Sequence, residues 1–229
     1  MNNIPLAIPV IAIDGPSASG KGTVAQAVAQ TLGFHYLDSG ALYRIVGLAA
    51  TRAGANLDNE AEVLANLLKI KIKFYQGQVL LDAVDVADAI RTERISAAAS
   101  KVGAHPEVRR ALLERQREFR RAPGLVADGR DMGSVVFADA RLKIYLTASP
   151  QARAERRYKQ LLGKGFDASM SDLLKGIMQR DQRDSERAAA PLQKCADAVE
   201  VDTTNLSVAQ SVAQVLETYT ALQKRSGNP

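Results

Sequence analysis

A chain of 229 residues can bury one substantial core and carry one or two inserted subdomains. Its 46 % apolar and 24 % charged residues are the balance of a soluble globular protein and exclude a fibrous or disordered one. A single cysteine, Cys195, excludes an internal disulfide or a thiolate metal cluster and suits a reducing cytosol; the net charge of +5 suits either nucleic acid or small polyphosphates.

The first apolar stretch, Ile4 to Ile13, contains Pro5 and Pro9 and ends at Asp14. It lacks a basic flank and a small-residue cleavage site, so it reads as a buried strand over Val10–Ile13, neither a signal peptide nor a membrane span. A helix is expected from Lys21 to Leu32, a strand over Phe34–Leu37 and a helix from about Leu42 to Arg52. Residues 70–86 read as short strands with a turn at Gln76-Gly77-Gln78, followed by helical stretches to about Arg121. Gly124–Ala127 and Leu142–Leu146 read as core strands. Gln151 to Arg187 is helical and dense in arginine, Val199–Val201 is a strand, Val208–Leu222 an amphipathic helix, and Lys224 to Pro229 a frayed end. Strands separated by helices imply parallel βαβ units and a three-layer α/β fold. The expected organisation is a core of residues 1–68, 103–150 and 191–229, an insertion over 69–102, and a helical lid region over 151–190.

The strongest local signal is Gly15-Pro16-Ser17-Ala18-Ser19-Gly20-Lys21-Gly22-Thr23, which follows a strand and opens a helix. That is the context of a phosphate-binding P-loop: glycines let backbone N–H groups face the phosphates, and Lys21 reaches the outer ones. The residue after Lys21 is Gly22, so the hydroxyl that usually meets Mg²⁺ is displaced to Thr23. A metal held mainly by phosphate oxygens, water and a carboxylate elsewhere is therefore expected.

A phosphate loop alone does not separate a kinase from a switch or a nucleic-acid-stimulated ATPase. In Leu37-Asp38-Ser39-Gly40-Ala41-Leu42-Tyr43-Arg44, Ser39 stands before a helix and Arg44 one turn inside it. Taken singly, an N-cap and a surface arginine account for them equally well; at the carboxyl edge of an α/β sheet both face ligand. Ala127-Asp128-Gly129-Arg130-Asp131-Met132-Gly133 reaches the same edge. Asp128 stands where a carboxylate ends a Walker-B-type strand, Arg130 can fork onto phosphate, and Asp131 can accept from a base amino group. His35 and His105 have neither metal nor triad spacing and read as structural or surface residues.

These motifs, with Arg180-Asp181-Gln182-Arg183-Asp184-Ser185-Glu186-Arg187 and the following Ala188-Ala189-Ala190-Pro191-Leu192, occur in the order seen in bacterial cytidylate kinases, members of the nucleoside monophosphate kinase family, and the resemblance spans nearly the whole chain. It implies a P-loop NTPase fold with a monophosphate-binding insertion and a lid. The activity implied is transfer of the γ-phosphoryl group of ATP, with Mg²⁺, to CMP or dCMP. It implies that Ser39, Arg44 and Arg130 hold the CMP phosphate, that Ser100, Arg109, Asp131 and Arg187 surround cytosine, and that Arg180 and Asp184 address the ribose. Lys21, Arg130, Arg156 and Arg157 are the implied catalytic cations. Arg153 and Arg183 read instead as members of a solvated helix with acidic partners. No metal site made by protein alone, no nucleic acid and no membrane is expected, and nothing demands an oligomer, so a cytoplasmic monomer is expected. The rival readings are a UMP or AMP kinase and, more remotely, a nucleic-acid-binding ATPase.

Overall fold

The computed structural model describes residues 8–75, 78–163, 165 and 167–225. Along the chain run β1 (Val10–Asp14), α1 (Lys21–Leu32), β2 (His35–Asp38), α2 (Ser39–Arg52), α3 (Glu60–Leu67), β3 (Ile72–Tyr75), β4 (Gln78–Leu81) and β5 (Val84–Asp85). Then follow α4 (Glu93–Val102), α5 (Pro106–Arg117), β6 (Leu125–Gly129), a π-turn (Met132–Val136), β7 (Leu142–Thr147), α6 (Pro150–Leu162), α7 (Met170–Glu186), β8 (Val199–Asp202) and α8 (Val208–Arg225). The described residues gather into two compact units, one from 1–37, 117–186 and 190–229, the other from 38–116 and 187–189.

The first unit is built on a five-stranded sheet of order β2-β6-β1-β7-β8. β1 runs parallel to both β6 and β7, and β7 parallel to β8. β1 and β6 are buried along their whole length, which is why both read as nearly continuous apolar runs. Val24, Val28 and Ala29 of α1 and Val215 and Tyr219 of α8 pack with Ile11, Ile13, Val126 and Ile144 of the sheet. Phe34 meets Tyr219 edge to face at 6.1 Å. The register sets Ile13 opposite Asp128 and Asp14 opposite Gly129, so both strands deliver a carboxylate to the same carboxyl edge, where α/β sheets bind ligands.

In the second unit α2 lies against α4. Gly47 allows the approach, since a Cβ there would stand 3.1 Å from both the Ala98 Cβ and the Ala99 nitrogen. An antiparallel sheet of β3, β4 and β5 joins Ile45, Leu48, Leu81, Val86, Ile90 and Ile95 in one apolar cluster.

Several boundaries differ from expectation. α2 begins at Ser39 rather than near Leu42, because Asp38 caps it and accepts from the Ala41 N–H at 2.9 Å; Ser39 is therefore the first helical residue, not the cap. The helical stretch after 150 is two helices, α6 closing at Gly163 and α7 opening at Met170. Residues 38–68 and 103–116 gather with the 69–102 insertion, and 151–186 with the sheet. Residues 76 and 77 of the expected turn lie outside the described residues, as do 226–229 of the expected frayed end.

Candidate active site

The loop between β1 and α1 owes its path to two glycines. Gly15 has φ 155°, and a Cβ on it would lie 2.0 Å from the Leu146 carbonyl oxygen, a contact no larger residue survives. Gly20 enters α1 at φ 91° in the left-handed region and brings no side-chain cap, so the first-turn N–H groups face outward as a ready anion site. The Ser17 and Ser19 hydroxyls are buried with no hydrogen-bond partner among the described residues. Buried polar atoms of that kind call for a partner, and phosphate oxygens are acceptors that such hydroxyls can meet. Lys21 is 8 % exposed and donates to the Pro16 carbonyl at 3.1 Å. Burial first, and the charge of Arg130 second, pull its amine down to about 7. A phosphate beside it would restore the proton.

The chain after β6 contributes the other half of this edge. Asp128, almost fully buried, accepts from the Tyr36 hydroxyl at 2.7 Å. Arg130 donates through Nε to Asp184 Oδ2 at 2.8 Å and through Nη1 to the Gly129 carbonyl; Arg180 stands 3.9 Å from the same Asp184 oxygen. Opposing that pairing, burial weighs against the Arg130 charge, yet Asp184 beside it holds its pKa above the ordinary value. Asp131 is buried. Asp14, at the end of β1, receives the Met132 and Gly133 N–H groups at 2.8 Å each and so ties down the turn that follows Arg130 and Asp131. Burial raises its carboxyl to about 6 against the pull of those two bonds.

The arginines of α6 are placed differently from one another. Arg153 is 3 % exposed. It forms a two-bond fork with Asp181 of α7 at 3.0 and 2.5 Å and also donates to the Ala148 and Ser17 carbonyls. The expected acidic partner is present, but the expected solvated position is not: Arg153 is the buried tie of α6, α7 and the phosphate loop. Arg156 donates to the Ser19 carbonyl at 3.1 Å, to the Thr203 hydroxyl at 3.0 Å and to the Thr203 carbonyl, which fixes it against the loop backbone. Arg157 reaches Gln160 Oε1 at 2.6 Å. Arg183 is exposed and donates to the Gln179 carbonyl.

In the second unit Ser39 is buried at the start of α2. Arg44 pairs with Asp38 at 2.6 Å, and its Nε is buried without a partner among the described residues, as is the Ser100 hydroxyl. Arg109, not its exposed neighbour Arg110, is buried: it donates to the Gly103 carbonyl at 3.0 Å and lies 5.4 Å over the Tyr43 ring. Arg187 is half-buried and belongs to this unit.

Sequence reasoning passed over Asp14, Tyr36, Tyr43 and the Arg153–Asp181 pair. Asp14 left a signal, an acidic residue closing a wholly apolar strand just as Asp128 interrupts its neighbour. Tyr43 sits inside a quoted motif, but nothing local says that its ring lies under Arg109 of α5. Arg153 and Asp181 are twenty-eight positions apart, and no short motif joins them.

The family model for cytidylate kinase matches residues 11–221. The chain is 57 % identical over 213 residues to a cytidylate kinase of Polynucleobacter asymbioticus, covering 93 % of this chain and 97 % of that one. It is equally 57 % identical over 219 residues to one of Paraburkholderia phymatum, covering 95 % and 96 %. Among solved structures, a gluconokinase from Sinorhizobium meliloti superposes with a TM-score of 0.50 at 16 % identity over 95 % of both chains, a likeness of fold. No helix among the described residues is long and apolar enough to cross a membrane.

Proposed function

Because this chain belongs to the cytidylate kinase family, we propose that it transfers the γ-phosphoryl group of ATP to CMP, and to dCMP, giving ADP and CDP or dCDP. The observation that carries the reading is the convergence, at the carboxyl edge of β1 and β6, of the phosphate loop with Lys21, Arg130, Arg180 and Asp184. That is a cluster of cations spaced by one acid, as phosphoryl transfer between two anions requires.

The acceptor phosphate is already anionic at neutral pH, so positioning and charge stabilisation do the work and no strong base is needed. Lys21 and the loop N–H groups hold the transferred group's oxygens. Arg130, with Ser39 and Arg44, orients the attacking CMP oxygen in line with the γ-phosphorus. Arg156, fixed on the Ser19 carbonyl, holds the loop in shape, while Arg157 turns from Gln160 toward developing charge. Region 151–190 serves as a lid that excludes water once both nucleotides are bound.

Cytosine presents O2 and N3 as acceptors and N4 as a donor. Arg109 and Arg187 match the acceptors, Asp131 and the Ser100 hydroxyl the amino group, and Arg180 and Asp184 the ribose. Uracil reverses N3 and position 4. Each buried group left unpaired costs about 1–3 kcal/mol, so UMP is a poorer substrate.

For Mg²⁺ the donor set is spare: among the described residues no group of three or more His, Cys, Asp or Glu is arranged to hold a metal. Asp128, buried at the end of β6 beside Lys21 and Gly22, fits as the one carboxylate, the remaining ligands being phosphate oxygens and water. When bound, Mg²⁺ neutralises phosphate charge.

The protein acts as a monomer in the cytoplasm. The test is ADP formation from MgATP with CMP, dCMP, UMP, AMP and no acceptor in parallel. Turnover with CMP and dCMP well above the rest is expected; equal turnover without acceptor overturns the reading.

A further inference from the structure

The residue that follows the P-loop lysine commonly carries the hydroxyl directed at the metal; here it is Gly22, the second residue of α1. A Cβ built on Gly22 would point at two atoms, the Tyr36 hydroxyl at 3.6 Å and Asp128 Oδ2 at 3.9 Å. Those two groups are themselves joined, the Tyr36 hydroxyl donating to Asp128 Oδ1 at 2.7 Å. Tyr36 comes from β2, which is next to β6 in the sheet, and its ring packs against the sheet core. The space that a serine or threonine side chain would fill beside α1 thus holds a phenol brought from a neighbouring strand.

We infer that Tyr36 is a positioning residue for the phosphotransfer reaction: its hydroxyl substitutes for the one missing at position 22 and fixes Asp128 so that Oδ2 faces the divalent cation of the bound nucleotide. The inference deepens the phosphotransfer reading and rests on it.

A donor placed on one carboxylate oxygen does two things. It halts rotation of the carboxylate about its Cβ–Cγ bond, and it holds the other oxygen on the side of Gly22. A hydrogen bond of this kind, from a neutral donor to a charged acceptor at 2.7 Å, is of the stronger class. Because the ring is anchored in the core, the hydroxyl is delivered with little loss of rotamer freedom, in contrast to a surface side chain. Glycine at 22 is the complement: it brings no hydroxyl of its own, and the phenol lies at contact distance from where its Cβ would stand.

Tyr36→Phe keeps the packed ring and removes only the hydroxyl. ADP binding, measured by calorimetry across a Mg²⁺ titration with no acceptor present, reads the cation coupling without catalysis. In Tyr36→Phe the Mg²⁺ concentration needed for half-maximal tightening of ADP should rise about tenfold, the lower end of what a hydrogen bond to a charged group contributes. ADP affinity without Mg²⁺ should stay near wild type, and the melting temperature should fall by only a few degrees, as loss of one buried hydrogen bond implies. Tyr36→Phe combined with Gly22→Ser places a hydroxyl within reach of Asp128 and should recover most of the loss. An unchanged Mg²⁺ requirement in Tyr36→Phe overturns the inference; so does a loss that appears equally without Mg²⁺, which would mark a packing role. CMP-dependent turnover by the wild-type protein separately checks the phosphotransfer reading, so the two failures are distinguishable.

Discussion

Replacing Asp14 by asparagine tests the link between the buried edge of the sheet and the turn that carries Arg130 and Asp131. The carboxylate is 6 % exposed and holds two backbone N–H groups at 2.8 Å. Burial raises its pKa from 3.8 to about 6, so between those values the folded protein binds a proton that the unfolded chain has lost. The stabilisation tied to that proton is complete below 3.8 and lost as the pH rises through about 6. Taking those two values, lowering the pH from 7.5 to 4.5 multiplies the folded-to-unfolded ratio by roughly 27 through this group alone, about 2 kcal/mol. Other carboxylates titrate in the same range, so the quantity to read is the difference between wild type and Asp14→Asn in urea-unfolding free energy at the two pH values. That difference should grow by about 2 kcal/mol in favour of wild type at pH 4.5. Asparagine also turns an N–H donor toward one of the two backbone N–H groups, so kcat/KM for CMP should fall at least tenfold as the Arg130–Asp131 turn loosens, on the order of one buried hydrogen bond. Parallel pH profiles for the two proteins would refute the reasoning.

Lys21, drawn down to about 7 by burial and Arg130, should take up a proton when a nucleotide polyphosphate binds at pH 8; calorimetry in buffers of different ionisation enthalpy reads this, and Lys21→Met should abolish it. For the empty protein the sign is opposite to Asp14: the folded value lies below the unfolded 10.5, so this group's penalty eases as the pH rises from about 7 toward 10.5. Arg153→Ala leaves Asp181 partly buried without its fork and should cost about 3–5 kcal/mol in chemical unfolding, whereas Arg153→Met with Asp181→Leu should recover most of it. Arg187→Ala should raise the CMP KM or lower kcat strongly with little change in melting temperature; an unchanged rate would sink its assignment. Asp184→Asn takes the counter-charge from Arg130 and Arg180, so inorganic phosphate should bind several-fold tighter while CMP binds more weakly; weakening of both would refute the pairing.

The fold was legible because its signals are local. β1 and β6 are short apolar runs, and the Gly15–Thr23 loop stands between a strand and a helix, so the α/β class and the binding edge followed from sequence. The Asp38 cap was misread because Ser39 is also a good capping residue; only the Asp38 carboxylate on the Ala41 N–H decides between them. Arg153 was misread because α6 is rich in charged residues and no apolar stripe marks the buried position, whereas its partners are a carbonyl of the phosphate loop and a carboxylate on α7. Tyr36 was invisible for the same reason. What gives it meaning is its distance to Asp128 and Gly22, and sequence spacing carries no record of that distance.

Within each unit, the arginines proposed to meet substrate share one more property, which bears on how each takes up an anion. Arg130 is held by Asp184, Arg44 by Asp38, and Arg109 by a carbonyl and the face of Tyr43. A buried guanidinium with no partner costs several kcal/mol, so the protein supplies each with a partner of its own. For Arg130 and Arg44 the partner engages only part of the guanidinium fork. Arg130 meets Asp184 through Nε and Gly129 through Nη1, and Arg44 meets Asp38 through one terminal nitrogen while its Nε stays buried without a partner among the described residues. A phosphate that meets either fork can therefore add before its internal pair is broken. Lys21 is the exception, since its partner is a neutral carbonyl and it meets its burial by yielding the proton near neutral pH. The arginines therefore set the geometry, while the charge of the lysine would arise with the polyphosphate proposed for the loop, which couples full electrostatic stabilisation to occupancy of the loop.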